Sequence, residues 1–158
     1  MEKRSFQYQV EEFNVSNVLL AKNLLALQRV SYQLEAELLD FDKIPPLTET
    51  LEQLMTSGET FIGCFDASKI IGALSYKRKD AQIDLYRVMV HPDWVRQGIA
   101  QELFRFLCEE HHDVVEITVT TGAANHPAVA LYQKLGFEKN GESIVEDSLR
   151  LAHFKKSR

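Results

Sequence analysis

The chain has 158 residues, a net charge of −5 and 26% charged residues, the balance of a globular protein rather than a disordered one. Its basic residues are scattered, which excludes the basic face typical of nucleic-acid binding, so no nucleic-acid partner is predicted. The longest apolar stretch, 18–27, contains Lys22 and Asn23 and falls far short of the roughly 20 residues that span a bilayer. No membrane partner is predicted either.

The length and the N-terminal sequence set two further expectations. Residues 1–158 are predicted to form a single domain, because this length is typical of one domain with its own core. Residues 1–13 lack the basic-then-apolar pattern of a signal peptide, so the cytoplasm is the default compartment. Cys64 and Cys108 show no metal-ligand spacing, and neither a metal site nor a disulfide framework is predicted.

Periodicity predicts the elements of the first half of the chain. Phe6, Tyr8 and Val10 alternate with polar residues as in a half-buried strand, and Ser16 can cap a helix that runs through Leu27. The elements that follow are a helical continuation over 31–40 that stops before Pro45 and Pro46, a short helix from Thr48 to Met55, and strands at 60–65, 69–76 and 81–90. These three strands are expected to form an antiparallel meander.

The second half alternates helices and strands. The elements are a helix beginning near Gln97, a strand over 114–120, a helix over 128–135 closed by Gly136, and strands at 137–145 and 148–154. This order predicts an α/β (α+β) domain with a mixed sheet rather than a doubly wound one.

The segment 90–100 leads from a predicted strand into a predicted helix. The first amides of a helix have no partner within it and point outward with the positive end of the helix dipole, so they can bind phosphate oxygens. Gly98 and Ala100 would let phosphates approach the backbone, and Arg96 adds a cation. The alternative is that Gly98 and Ala100 only allow the helix to pack against the sheet.

This segment resembles the phosphate loop of the GNAT superfamily of acetyltransferases. That family carries Gln/Arg-x-x-Gly-x-Gly/Ala after its fourth strand, often preceded by Val-x-Pro. The sequences 90–92 (Val-His-Pro) and 98–100 (Gly-Ile-Ala) match, whereas Val95 stands where the family has Gln or Arg. Because the family's loop holds pyrophosphate mainly through backbone amides, valine still offers the required donor.

A second and more specific resemblance covers residues 125–137. The sequence Asn-His-Pro-Ala-Val-Ala-Leu-Tyr-Gln-Lys-Leu-Gly-Phe resembles the family's Asn-x-x-Ala-x-x-Leu-Tyr-x-Lys-x-Gly-Phe. The resemblance implies that Tyr132 donates a proton to the departing CoA thiolate and that Asn125, which can also cap the helix, helps to position the cofactor. The alternative for Tyr132 is a core aromatic residue beside Ala128 and Leu135.

The resemblance implies a GNAT fold, in which a mixed, mostly antiparallel central sheet is flanked by helices on both faces. It also implies an N-acetyltransferase in which an amine attacks acetyl-CoA directly in a ternary complex. The cofactor-binding residues implied are Val88, Met89, Val90, Val95, Arg96, Gln97, Gly98, Ile99, Ala100 and Asn125. In the family a bulge splays the fourth strand, and a freed amide near Val88 binds the acetyl carbonyl.

A base is needed as well, because an alkylamine with a pKa near ~10.4 is protonated at neutral pH. Asp84 is the sequence's candidate, since it lies in strand 81–90 on the same alternating face as Tyr86, Val88 and Val90 and resembles the position of the family's catalytic glutamate in histone acetylation. The alternative is a solvated or salt-bridged strand residue.

The acceptor is a primary amine of a small molecule or peptide, and its pocket is expected between the helices of 18–55 and the last hairpin. That helical region is acidic at Tyr32, Glu35, Glu37, Asp40 and Asp42, which suits a cationic amine or is merely a solvated face. The rival function is a non-catalytic acyl-CoA-binding regulatory module. A dinucleotide oxidoreductase is disfavoured because no Gly-x-Gly-x-x-Gly is present. The resemblance also implies a possible homodimer.

Overall fold

The computed structural model of the chain describes residues 6–39, 45–145 and 149–158. The strands are β1 (Gln9–Phe13), β2 (Thr60–Asp66), β3 (Lys69–Lys79), β4 (Gln82–Val90), β5 (Glu116–Gly122), β6 (Glu138–Val145) and β7 (Leu149–Ser157). The helices are α1 (Val18–Leu39), α2 (Pro45–Thr48), α3 (Leu51–Met55), α4 (Ile99–Glu110) and α5 (His126–Lys134), with one 3-10 turn at Pro92–Trp94.

The seven strands of the described residues form a sheet in the order β1-β2-β3-β4-β5-β7-β6. Strands β4 and β5 pair in parallel, and all other neighbours pair antiparallel. A parallel pair needs a long crossover, which α4 supplies between β4 and β5. The predicted mixed, mostly antiparallel sheet is confirmed.

Each face of the sheet carries its own hydrophobic core. On the face that carries α4 and α5, the buried residues include Leu74, Ile83, Leu85, Ile99, Leu103, Leu107, Tyr132 and Phe154. On the face that carries α1 and α3 they include Leu24, Leu25, Leu27, Leu54, Phe61, Ala73 and Met89. Helices therefore cover both faces, as predicted.

Several element boundaries differ from those predicted. The first helix is continuous from Val18 to Leu39, so the segment 31–40 does extend it. The cap of α3 is Thr50 rather than Thr48, because Thr50 forms a capping box with Gln53 in which each side chain bonds the other residue's amide. None of the helices in the described ranges is long and apolar enough to cross a membrane.

A buried ion cluster joins the sheet to α1 and to the segment that precedes β2. The Arg87 guanidinium donates to Glu59 at 2.8 Å, to Gln28 at 2.8 Å and to both carboxylate oxygens of Glu49. Gln28 also donates to Glu49 at 2.8 Å, and Ser75 donates to Glu59 at 2.6 Å. The Arg87 side chain is 9% exposed, so its charge depends on these partners rather than on water.

We expect Arg87→Leu to lower the free energy of unfolding by about 3–5 kcal/mol, because it leaves two carboxylates without their buried cation. Urea denaturation followed by circular dichroism measures the change. The matched control is Arg105→Leu, since Arg105 also pairs with two glutamates but its side chain is 55% exposed. The control should lose less than about 1 kcal/mol. Equal losses in the two variants would show that burial does not strengthen the cluster.

Candidate active site

A cleft opens in the middle of the sheet because β4 and β5 pair along only part of their length. The described pairs are Gln82 with Glu116, Ile83 with Ile117 and Asp84 with Thr118. Strand β4 continues for six more residues and β5 for four, with no further pairs between them. The edge of β4 after Asp84 therefore faces a cleft rather than a neighbouring strand.

A bulge in β4 determines which of its side chains point to each face of the sheet. The register between β3 and β4 shifts so that Ser75 pairs with Arg87 and Tyr76 with Leu85, which leaves Tyr86 as the extra residue. Before the bulge Leu85 packs with α4, whereas after it Met89 packs with α1 and Val88 packs against the α4 core. The bulge thus reverses which residues of β4 face α4: the odd-numbered ones before it and the even-numbered ones after it.

This reversal corrects one prediction about Asp84. Asp84 was expected on the same face as Val88 and Val90, but alternation does not continue through a bulge, and it lies on the opposite face. Its carboxylate accepts a hydrogen bond from the Thr118 hydroxyl, at the end of the paired part of β4 and β5. Asp84 therefore lies at the closed end of the cleft, where the pairing of β4 with β5 stops.

The loop between β4 and α4 is held in one conformation by contacts among its own residues. The Trp94 amide donates to the His91 carbonyl at 2.8 Å, and the His91 imidazole accepts from the Asp93 amide at 3.1 Å. The Lys69 ammonium lies 4.7 Å from the centroid of the Trp94 ring. These contacts fix the approach of the chain to α4.

The N-terminus of α4 combines amides that no side chain caps with two residues of positive φ. Gly98 is the N-cap, with φ of 77°, and no side chain caps the first amides of the helix. Arg96 also has a positive φ, 64°, a conformation that non-glycine residues adopt rarely and mostly at functional sites. Predicted cofactor residues around it differ in exposure: Val95 and Gln97 are exposed, Ala100 is half-buried and Ile99 is buried in the core.

The surroundings of Gly98 bear on one of the two interpretations of Gly-x-Ala, the packing of the helix against the sheet. A Cβ added to Gly98 would meet nothing closer than 3.9 Å, so this glycine is not required for helix packing. The close approach of α4 to the sheet occurs at Gly72, where a Cβ would lie 2.6 Å from Ile99. Gly98 instead serves a left-handed turn beside open space, which is what a phosphate cradle needs.

A cavity of about 440 Å³ lies at this helix terminus. Its lining residues are Phe6, Gln7, Tyr8, Arg96, Gln97, Gly98, Gln101 and Glu102. The Tyr8 hydroxyl donates to the Gln97 side chain at 2.7 Å, which ties the segment before β1 to the loop. Residues 6–8, which were predicted to belong to the first strand, thus form one wall of the cavity. In the structure β1 begins only at Gln9.

Helix α5 carries the second motif to the other side of the cleft. The Asn125 side chain caps this helix by accepting from the Ala128 amide at 3.3 Å, and Asn125 is buried. Tyr132 is 5% exposed, within contact distance of the rings of Phe137 and Phe154. Burial raises the pKa of the Tyr132 phenol, and the Glu35 carboxylate raises it further. The phenol therefore stays protonated at neutral pH.

Two side chains of α1 enter the cleft, three residues apart and thus on the same face of the helix. Burial raises the pKa of the Tyr32 phenol, while the nearby Val88 backbone acts in the opposite direction, as an N–H group close to the phenol oxygen does. Glu35 accepts a hydrogen bond from the Thr121 hydroxyl at 3.5 Å, and the Asn125 side chain lies close enough to lower the pKa of its carboxyl. Helix α1 therefore contacts β4, the end of β5 and the start of α5.

Sequence analysis assigned no catalytic or binding role to Tyr32 or Glu35. It placed both only in the acidic region where the acceptor pocket was expected. A signal was present: the inward-facing residues of α1 become more polar along the helix. They include Ala21, Leu24, Leu25, Leu27, Gln28 and Ala36, which are buried, and Tyr32 and Glu35, which are half-buried. Polar residues in a buried register need polar partners, which here are the Arg87 cluster and the cleft. Asp40 and Asp42 lie outside the described residues.

This fold, with its cleft and phosphate loop, identifies the class of protein. The acetyltransferase (GNAT) domain model matches residues 29–158, and the chain belongs to the GNAT acetyltransferase family. The resemblance found in the sequence is thus confirmed.

Three other proteins are similar to the chain, one in sequence and two in fold. It is 36% identical over 135 residues to UPF0157 protein YqkA of Bacillus subtilis (strain 168), which covers 85% of this chain and 39% of that protein. The PaiA N-acetyltransferase from Thermoplasma acidophilum in complex with coenzyme A superposes with a TM-score of 0.78 at 15% identity, covering 97% of this chain and 100% of that one. The ribosomal-protein-S18-alanine N-acetyltransferase from Escherichia coli has a TM-score of 0.76 at 14% identity, covering 96% and 94%.

We expect Gly98→Trp to abolish binding of CoA measured by isothermal titration, because an indole at this position fills the space in front of the α4 amides. The matched control is Gly58→Trp: Gly58 has φ of 76°, nearly the same as Gly98, and is also exposed, but lies in the loop before β2. The control carries the same backbone strain and should bind CoA like the wild type. Equal binding by both variants would remove the loop from the cofactor site.

Proposed function

We propose that this chain transfers an acetyl group from acetyl-CoA to a primary amine, by direct attack in a ternary complex. The observation that carries the proposal is that Tyr132 is a buried phenol that stays protonated and lies near Glu35 and Tyr32 of α1. In the proposal its hydroxyl reaches the cleft where the edge of β4 is free of β5. The fold supports it, because a protein of the same fold was solved in complex with coenzyme A.

The residues present fit acetyl-CoA as a cosubstrate. The backbone from Val95 to Ala100 would hold the pyrophosphate, with Arg96 adding charge next to the α4 dipole. The free edge of β4 at Val88, Met89 and Val90 would bind the pantetheine amides as an added strand does. Of these three, Met89 contributes backbone alone, since its side chain is buried in the α1 core.

The Val88 amide has a second role in this proposal. It would donate to the acetyl carbonyl and stabilise the oxyanion that forms when the amine attacks. In this structure the Tyr32 phenol lies near the same backbone. The Tyr32 hydroxyl would therefore compete with the acetyl oxygen for the Val88 amide.

Tyr132 would act as the general acid that protonates the departing thiolate. Asn125 would help to position the cofactor, as the resemblance implies, while it caps α5. Asp84 stays a prediction as the base; its observed partner is Thr118, in the paired part of the sheet. The homodimer and the cytoplasmic location also stay predictions.

The acceptor would be a cationic amine. The side chains of α1 that reach the cleft include a carboxylate, Glu35, and the chain is acidic overall. The Escherichia coli neighbour acts on an alanine of ribosomal protein S18, which extends the candidate acceptors to an N-terminal α-amine. A suitable panel is spermidine, an aminoglycoside, a lysine-containing peptide and a peptide with an N-terminal alanine.

We expect thiol release from acetyl-CoA that depends on at least one amine of this panel, and a fall of about 10²-fold or more in kcat for Tyr132→Phe, because the acid is removed. The matched control is Tyr76→Phe, which also deletes a buried hydroxyl, 4% exposed, but one bonded to Glu12 and His111 away from the cleft. CoA binding without amine-dependent thiol release would favour the rival acyl-CoA-binding module. Full activity in Tyr132→Phe would remove Tyr132 from the mechanism.

Tyr32→Phe tests the competition for the Val88 amide. We expect this variant to bind acetyl-CoA more tightly than the wild type, by about fivefold, since a hydrogen bond of about 1 kcal/mol no longer has to be broken. Titration with acetyl-CoA and with CoA measures the effect, which should appear with acetyl-CoA alone. Weaker binding of acetyl-CoA would instead show that the Tyr32 hydroxyl contacts the acetyl group directly.

A further inference from the structure

Glu35 is a half-buried carboxylate inside the cleft that the proposed reaction does not yet use. The Thr121 hydroxyl, at the end of β5, donates to it at 3.5 Å, and the Asn125 side chain, at the start of α5, lies close enough to lower the pKa of the carboxyl. Both partners are uncharged, and both belong to the wall of the cleft that carries Tyr132. The carboxylate is close enough to the phenols of Tyr32 and Tyr132 to raise the pKa of each.

Asp84 lies in a different part of the sheet. It bonds Thr118, three residues before Thr121, and three residues of strand span about 10 Å. Thr118 still pairs with β4, whereas Thr121 lies beyond the last pair, in the opened part. Of the two carboxylates, Glu35 is the one that the structure brings to the wall formed by the end of β5 and the start of α5.

We propose that Glu35, rather than Asp84, is the base that receives the proton of the acceptor ammonium in the cleft. The inference rests on the proposed acetyl transfer and specifies its acceptor side: a cationic primary amine held by one carboxylate between α1 and the β5–α5 wall. Thr121 and Asn125 orient that carboxylate, and Tyr32, on the same face of α1, lies against the Val88 amide.

Two groups of the protein, Glu35 and Tyr132, account for the proton transfers of the reaction. The ammonium gives one proton to the Glu35 carboxylate, and the freed lone pair of nitrogen forms the N–C bond to the thioester carbon. When the C–S bond breaks, its electron pair stays on sulfur, which takes a proton from Tyr132. The second proton of the attacking nitrogen restores the phenol, and Glu35 releases its proton to solvent. The products are the amide, CoA thiol and one proton.

The charges facing Glu35 favour this order of events. Burial raises the pKa of the Glu35 carboxyl, against the lowering effect of its hydrogen bonds from Asn125 and Thr121. The titratable groups near Glu35 include Tyr32 on its own helix and Tyr132 on α5, while Arg87 on β4 acts on Tyr32. A charged Glu35 keeps Tyr132 protonated. Once Glu35 is neutralised by the amine proton, Tyr132 becomes a stronger acid.

The experiment is the pH dependence of kcat/KM for the full chain and for Glu35→Gln and Asp84→Asn, with acetyl-CoA and the most active amine of the panel above. We expect Glu35→Gln to lose about 10²-fold at pH 7. The deficit should shrink as the pH rises toward the amine's own pKa, because a neutral amine needs no base. Asp84→Asn is measured in the same assay, and a pH-dependent loss as large as that of Glu35→Gln would contradict the assignment of the base to Glu35.

Thermal melting of Glu35→Gln gives a readout besides activity. A carboxyl whose folded pKa is raised contributes stability below its unfolded pKa, about 4.3, and loses it as the pH rises through the folded value. At pH 7 the glutamine variant, which keeps an accepting oxygen, should therefore melt at the same or a higher temperature than the wild type. A lower melting temperature would indicate a structural role.

Three outcomes would overturn the inference or its premise. A loss in Glu35→Gln that is the same at every pH would make Glu35 a residue that only positions the substrate. A loss in Asp84→Asn with normal Glu35→Gln activity would return the role of base to Asp84. If the wild type transfers no acetyl group to any amine of the panel, the proposed function itself fails. The variants then give information on folding alone.

Discussion

The early end of pairing between β4 and β5 is the constraint on which the rest of the structure depends. A parallel pair that stops after Asp84 and Thr118 leaves backbone donors and acceptors without partners in the centre of a sheet. Such groups must be satisfied by something other than a strand. Here the Tyr32 phenol meets the Val88 backbone from one side, while a pantetheine arm would meet the same edge as an eighth strand.

The bulge at Tyr86 makes this arrangement possible without disrupting the core. By reversing the alternation, it turns Arg87 toward α1 and leaves the side chains of Val88 and Val90 against the α4 core. Arg87 then binds Gln28, one turn before Tyr32 on α1. The ion cluster thus fixes the rotation and height of α1, and with them the positions of Tyr32 and Glu35 in the cleft.

Much of the fold was predictable because its signals are local. Alternation gave β2, β3 and β4, the 3.6-residue period gave α4, and two motifs located the phosphate loop and Tyr132. The bulge was not predictable from alternation, because residues 83–90 still alternate between buried and more exposed positions while they change faces. That single extra residue is why Asp84 was placed on the wrong face.

Glu35 was missed for a different physical reason. Its contacts lie 86 and 90 positions away, at Thr121 and Asn125, and no local pattern encodes such a distance. What the sequence does contain is a helical stripe that becomes more polar after Leu27, at Gln28, Tyr32 and Glu35, which indicates that this part of α1 packs against polar partners.

The two halves of the site differ in how strongly they depend on side chains. In the proposed function, the cofactor half would use backbone amides of the β4 edge and the α4 N-terminus, which any sequence supplies if the chain adopts the right turn. Val95 would then replace the family's Gln or Arg without the loss of a backbone donor. The acceptor half would be made of side chains from α1, in which one substitution changes charge and shape. The acceptor therefore has to be argued from Tyr32 and Glu35 of this chain, because a likeness of fold at 15% identity does not extend to individual side chains.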